Sequence, residues 1–148
     1  MTIKKELLAI AALGLLTPPL PADLPPTAVP APVISSVKQA YPDARHIEWD
    51  YDEDTGAYEA EFKINRYEHD LKVAADGKIL FVKMEIPVHS LPAVIRDSVQ
   101  KSYPGYSIRE AEKITQGDAV RYKVEIANLT GDMDLVIDST GAIIHVDH

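Results

Sequence analysis

Apolar positions recur every four residues in two stretches of the chain. Val29, Val33, Val37 and Tyr41 make one stripe, and Leu91, Ile95, Val99 and Tyr103 make the other. Such spacing places the apolar side chains on one face of a helix, so each stretch predicts an amphipathic helix with that face turned to a core. Pro42 and Pro104 end the two helices, because the residue before a proline is pushed out of the α region. Ser90 is the predicted N-cap of the second helix, with Pro92 tolerated in its first turn. The tyrosines are expected to close each helix against a sheet, hydroxyl at the rim.

After each helix the period falls to two. Ile47, Trp49 and Tyr51 alternate with His46, Glu48 and Asp50, and Tyr58, Ala60, Phe62 and Ile64 alternate with Glu59, Glu61 and Lys63. That is the pattern of antiparallel strands with one face buried and one in water. Residues 67–74 and 78–86 continue the set, joined by Asp76-Gly77, read as a two-residue hairpin. The second half offers strands at 107–114, 119–127, 132–138 and 142–146, with Thr140-Gly141 in the hairpin position.

The two halves are copies. Residues 29–42 align with 91–104 at a spacing of 62, and Tyr58, Glu61, Leu71 and Gly77 align with Tyr122, Glu125, Leu135 and Gly141 at a spacing of 64. A two-residue insertion in one loop accounts for the change. The predicted fold class is therefore α+β: two tandem repeats, each one helix followed by an antiparallel sheet of about four strands, joined edge to edge or packed helix to helix in one body. The repeats are placed at 33–90 and 91–148.

Upstream of the repeats the pattern is different. Lys4 and Lys5 precede the apolar run Leu7–Leu16, which Thr17, Pro18 and Pro19 end; this is the basic, apolar, breaker order of an export signal over residues 1–22. The run is too short to span a bilayer, so no stable membrane insertion of the mature chain is expected. Residues 23–32 hold Pro25, Pro26, Pro30 and Pro32 and read as an extended tether. With no cysteine in the chain there is no lipid-modified cysteine and no disulfide, and a periplasmic or secreted domain held by packing alone is expected.

Charge narrows the partners. The chain carries −8, and −9 once a leader of residues 1–22 is removed, with no Lys/Arg cluster, so nucleic acid is excluded as an expected partner. Residues 31–90 carry −5 and residues 91–148 carry −3, which makes the first repeat the more acidic.

The order of helix, Tyr41-Pro42, Trp49 on a strand, Tyr58 to Phe62, and Asp76-Gly77 returns as Tyr103-Pro104, Tyr122 to Ile126 and Gly141. In that order and duplication the chain resembles the PepSY-like proteins of bacterial envelopes, whose fold is likened to the tandem-repeat β-lactamase inhibitory protein. The resemblance covers roughly residues 29–146. It implies an exported, non-enzymatic domain that binds or inhibits a protein, and supplies no catalytic residues. The chain departs from the inhibitory protein in lacking its stapling cysteines, and the second copy has no tryptophan matching Trp49, so inhibition of a β-lactamase is not inferred.

The residues themselves carry little that could do chemistry. There is no cysteine nucleophile, Gly-x-Ser-x-Gly, His-Glu-x-x-His or phosphate loop, and no cofactor is expected. His46, His69, His89, His145 and His148 form no helical ligand pair, and no dedicated metal site is assigned to them. The polar strand face of the first repeat gathers Glu48, Asp50, Glu59 and Glu61, the expected contact surface for an unidentified protein or peptide of basic character. The alternative is a calcium- or other cation-binding envelope protein using Asp50, Asp52 and Asp54 with Glu61. That loop falls short of a calcium loop because its glycine, Gly56, comes one place late and its flanks read as strands.

Overall fold

In the computed structural model, which describes residues 23–148, the repeats share one sheet. The first consists of α1 (Ala31–Ala40), β1 (Arg45–Asp52), β2 (Ala57–Ile64), β3 (Tyr67–Val73) and β4 (Ile79–Glu85). The second consists of α2 (Ala93–Ser102), β5 (Ser107–Gln116), β6 (Ala119–Asn128), β7 (Gly131–Asp138) and β8 (Ile143–Asp147). The eight strands lie in chain order and every neighbouring pair is antiparallel. The repeats join edge to edge through β4 and β5, where Phe81, Lys83 and Glu85 face Gln116, Ile114 and Glu112. The fold is thus α+β, with two helices on an eight-stranded antiparallel sheet.

Each helix buries its stripe on its own four strands, which gives two cores. Under α1, Val33 and Val37 pack with Trp49, Ala60, Phe62, Leu71 and Val73. Under α2, Ile95 and Val99 pack with Ala111, Tyr122, Val124, Ile126, Leu135 and Ile137. Trp49 lies opposite Ala60 in the first core, and the equivalent pair in the second is Ala111 opposite Val124. A large–small pair in one repeat is matched by a small–medium pair in the other, so local volume is redistributed while the alternation is kept.

The helix starts differ from expectation. Both helices begin at proline, with Pro30 and Pro92 as N-caps and no side-chain capping bond. Ser90 does not cap α2; its Oγ donates to the Pro87 carbonyl at 2.7 Å and closes the short 3-10 turn Val88–Ser90. Proline lacks an N–H and has φ preset near the helical value, so neither helix depends on a polar cap. Val29 and Leu91, just ahead of the helices, are buried and pin their entry.

The hairpins also differ. In the first repeat the two-residue turn lies at Asn65-Arg66, both at positive φ (50° and 71°), between the paired residues Ile64 and Tyr67; in the second, Gly117-Asp118 and Leu129-Thr130 are two-residue turns. Asp76-Gly77 closes a longer turn in which Gly77 N donates to Ala74 O and Ala74 N to Lys78 O, and Gly141 repeats it with Asp138 and Ala142. The two-residue insertion lies in the β5–β6 hairpin. Asp52 and Ala57 close the β1–β2 hairpin, whereas β5 and β6 run on to Gln116 opposite Ala119.

The Pro-rich stretch at 23–32 is not an extended tether: Leu24 N donates to Trp49 O at 2.6 Å on β1, Pro26–Ala28 form a 3-10 turn, Val29 is buried in the first core and α1 begins at Ala31. The reason is that Val29 belongs to the apolar stripe and draws the prolines onto the fold. The expected export signal at 1–22 lies outside the described residues. Among the described residues no helix is long and apolar enough to cross a membrane.

Candidate functional site

Both helices cover one face of the sheet, and among the described residues the other face is open. Alternation along each strand decides what the open face carries: when Trp49, Ala60, Phe62 and Leu71 turn into the core, Glu48, Asp50, Glu59, Glu61 and Asp70 turn out. Cross-strand register then brings these carboxylates into rows. Glu48 lies opposite Glu61, and Glu61 opposite Asp70, on β1, β2 and β3; Asp50 lies opposite Glu59 one step along. Directly opposed residues have Cβ atoms about 5 Å apart, a spacing at which like charges oppose folding.

Lysines neutralise part of this face. Lys72 Nζ reaches Asp52 and Glu59, each at 2.8 Å, Lys83 reaches Asp70 at 2.7 Å, and Lys63 reaches Glu68 at 2.8 Å. Among the described residues Glu48, Asp50 and Glu61 have no ion-pair partner. Glu61 is at the centre of the arrangement. Partial burial, reinforced by Asp70, Glu59 and Glu48, holds its carboxyl above the usual range. It lines three adjoining hollows: one of about 500 Å³ shared with Arg45, His46, Glu48 and Asp70, one of about 190 Å³ shared with Lys72, Phe81 and Lys83, and one of about 90 Å³ shared with Asp23 and Asp50.

The structure therefore brings the four sequence-assigned residues together on one surface. Three neighbours complete the site: Asp70, whose place depends on the β2–β3 register; Phe81, turned to the open face beside Lys72; and Lys83. The second repeat carries the same carboxylate row, Glu110 opposite Glu125 and Glu125 opposite Asp134. Sequence spacing hides the match, since Glu110 corresponds to Glu48 at 62 while Glu125 and Asp134 correspond to Glu61 and Asp70 at 64. Around it the charges change: Lys123 stands in the place of Glu59 and pairs with Asp134 at 2.7 Å.

The acidic loop is internally bonded. Asp52 Oδ1 accepts the N–H groups of Asp54 and Thr55 at 3.0 and 3.1 Å, its Oδ2 accepts from Lys72, and Gly56 N closes the turn on Asp52 O at 2.7 Å. The bonds from Lys72 and Thr55 hold the Asp52 carboxyl far below its ordinary range. Asp52, central to the cation reading, is thus already coordinated by the protein's own donors. No group of three or more His, Asp or Glu side chains is placed to hold a metal among the described residues. His69 is buried on the helix side, where it stacks on Phe62 with ring centroids 5.2 Å apart.

The family model described as "Putative beta-lactamase-inhibitor-like, PepSY-like" matches this chain twice, over residues 21–81 and 80–145. Among solved structures, a "putative periplasmic" protein of Bacteroides eggerthii superimposes with a TM-score of 0.66 at 15% identity, over 80% of this chain and 88% of that one. A DUF2874 family protein of Bacteroides uniformis gives 0.63 at 19% identity, over 79% and 87%. A BLIP-like protein of Bacteroides fragilis gives 0.62 at 18% identity, over 80% and 85%. No curated protein matches the chain. At these identities the structural likeness establishes the fold.

Proposed function

The chain belongs to the PepSY-like family, whose model spans both of its repeats, and from that premise we propose that it is an exported, non-catalytic module that binds a basic protein or peptide on the open face of its sheet. Glu48, Asp50, Glu59 and Glu61 are the proposed contacts, with Asp70 beside them. The observation that carries the reading is the row Glu48, Glu61, Asp70: three carboxylates in register on the face away from the helices, the middle one without an ion-pair partner among the described residues. Their mutual repulsion is a folding cost that an arriving guanidinium or ammonium group relieves, so the free energy of relief adds to binding. Such a surface chiefly raises the association rate and selects partner charge.

Action is by occlusion or sequestration, with no bond made or broken. The proposed placement in the periplasm or outside the cell rests on the basic, apolar, breaker order of residues 1–22 read as an export signal, and on the likeness to a Bacteroides eggerthii protein described as periplasmic. The proposed division is a leader at 1–22 followed by repeats at 33–90 and 91–148, with residues 23–32 leading into the first. The test is affinity capture from an envelope extract with the full chain as bait, beside the charge-reversed Glu59→Lys/Glu61→Lys form. A stoichiometric protein released by salt from the parent and absent from the variant supports the reading. Equal capture by both removes the acidic face from it.

A further inference from the structure

The repeats meet at a further cavity, separate from the three hollows around Glu61. It has a volume of about 280 Å³ and opens where the β2–β3 hairpin, the β4–α2 connection and β5 converge. Its walls carry two guanidinium groups, Arg66 and Arg109, and three carboxylates, Glu85, Glu110 and Glu112. Ile86, Pro87, Val88 and Ala111 supply its apolar lining.

Five groups of opposite charge line this one cavity, yet none of them pairs with another within salt-bridge distance, although five ion pairs form elsewhere in the described residues. The cavity is also firmly framed. Arg66 sits on the two-residue turn at φ 71° with its guanidinium carbon 5.6 Å from the Tyr67 ring centroid, and it and Arg109 are exposed. Ile86 N donates to Ala111 O at 2.9 Å, which continues the β4–β5 pairing into the cavity wall. Glu85 and Glu112 are directly opposed, and Glu85 Oε2 accepts the Glu68 N–H at 3.0 Å, so the carboxylate is held in place. Burial raises the Glu112 carboxyl above its usual range, and a cation placed against it would lower it again. Leu129 and Thr130 stand in the second repeat where Asn65 and Arg66 stand in the first, so the turn arginine belongs to the first repeat alone.

We propose that this seam is a binding site for a small zwitterion of dipeptide size, its carboxylate taken by Arg66 and Arg109 and its ammonium by Glu85 and Glu112. A planar guanidinium pairs a carboxylate through two parallel N–H bonds, and the volume, just under the usual range of small-ligand sites, limits the occupant to a molecule of this size. The site uses none of Glu48, Asp50, Glu59 and Glu61, so it stands or falls independently of that contact row.

The probe is alanyl-alanine with both termini free, titrated into the ¹⁵N-labelled full chain, beside its N-acetyl and C-amide forms. The expected result is shifts confined to the amides around Arg66, Glu85 and Arg109–Glu112, with affinity falling at least about tenfold when either terminus is blocked. Arg66→Lys/Arg109→Lys keeps both charges but loses the forks, and the same fall of about tenfold is expected with the spectrum elsewhere unmoved. Absence of seam shifts at millimolar dipeptide overturns the proposal. So does an equal response to either blocked form, or an unchanged affinity in the double variant.

Discussion

Gly77 and Pro32 approach so closely that a Cβ on the glycine would lie 2.7 Å from the Pro32 carbonyl oxygen. This is where the first turn of α1 rests on the β3–β4 hairpin. Gly77 is also at φ +94°, in the left-handed region that a side chain disfavours. The same contact recurs in the second repeat, where a Cβ on Gly141 would lie 3.0 Å from Val94 Cγ2 and 3.2 Å from Val94 O. In the first case backbone must move; in the second a methyl can turn away. Gly77→Ala is expected to cost about 2–4 kcal/mol and Gly141→Ala about 1–2 kcal/mol in urea unfolding. Equal costs would mean that the helix dockings differ less than these distances require.

Trp49 and Ala60 offer a test of how the two cores trade volume. Trp49→Ala empties the space beneath α1 and is expected to cost about 3–5 kcal/mol. Ala60→Val alone crowds the indole, at about 1–3 kcal/mol. Together they reproduce the Ala111–Val124 pair of the other repeat, so the double variant should be more stable than the summed single costs by about 1 kcal/mol. Strict additivity in a double-mutant cycle would show that the pair does not share the space.

The stripe at every fourth residue and the alternation after it were enough to place both helices and every strand to within about two residues, because burial on one face imposes those periods directly. What stayed hidden was set by contacts between distant residues. Nothing in Lys83, Glu85 or Glu112 marks β4 and β5 as partners, since the joint pairs two strands from different repeats and needs no hairpin. Asp76-Gly77 reads as a two-residue turn because the dipeptide suits two turn lengths; the structure uses Gly77 to close the longer one, and in the first repeat the short turn falls at Asn65-Arg66. The acidic face was legible at Glu48, Asp50, Glu59 and Glu61 from alternation alone. Its repetition at Glu110, Glu125 and Asp134 was not, because the inserted pair of residues in the β5–β6 hairpin changes the spacing within the row.

Lys72 bridges Asp52 and Glu59, and removing it should alter stability most where all three groups are charged. The Asp52 carboxyl is lowered in the fold, chiefly by the Lys72 bond, so its contribution is present above the unfolded value, about 4, and is lost as pH falls through the folded value. The Lys72 ammonium is raised, chiefly by the Asp52 bond, so its contribution is present below the unfolded value, about 10.4, and is lost as pH rises through the folded one. Lys72→Gln should therefore be less stable than the parent at neutral pH, with the gap narrowing at both extremes. Thermal melts across that range measure it, and a gap independent of pH would assign the loss to packing of the lysine stem.

Glu61 has the opposite sign. Its carboxyl is raised in the fold, chiefly by burial and then by Asp70, Glu59 and Glu48, so the folded state holds the proton more tightly than the unfolded chain. Lowering the pH through the folded value therefore stabilises the protein, and the gain is complete below the unfolded value of about 4.3. At neutral pH the ionised carboxylate is a net cost, kept under about 1 kcal/mol by its exposure to solvent. Glu61→Gln removes the charge and keeps the shape, so the variant should melt above the parent at pH 7 and converge with it in acid. Added salt should narrow the difference, since screening weakens the repulsion from Glu48, Glu59 and Asp70 that the substitution relieves. The same substitution deletes the central carboxylate of the proposed contact row, so a gain in stability accompanied by weaker capture of a basic partner is the combination expected of a residue retained for binding at the expense of folding. A variant that is less stable at neutral pH would show that Glu61 is supported by its surroundings and would remove the strain on which that reading of the row depends.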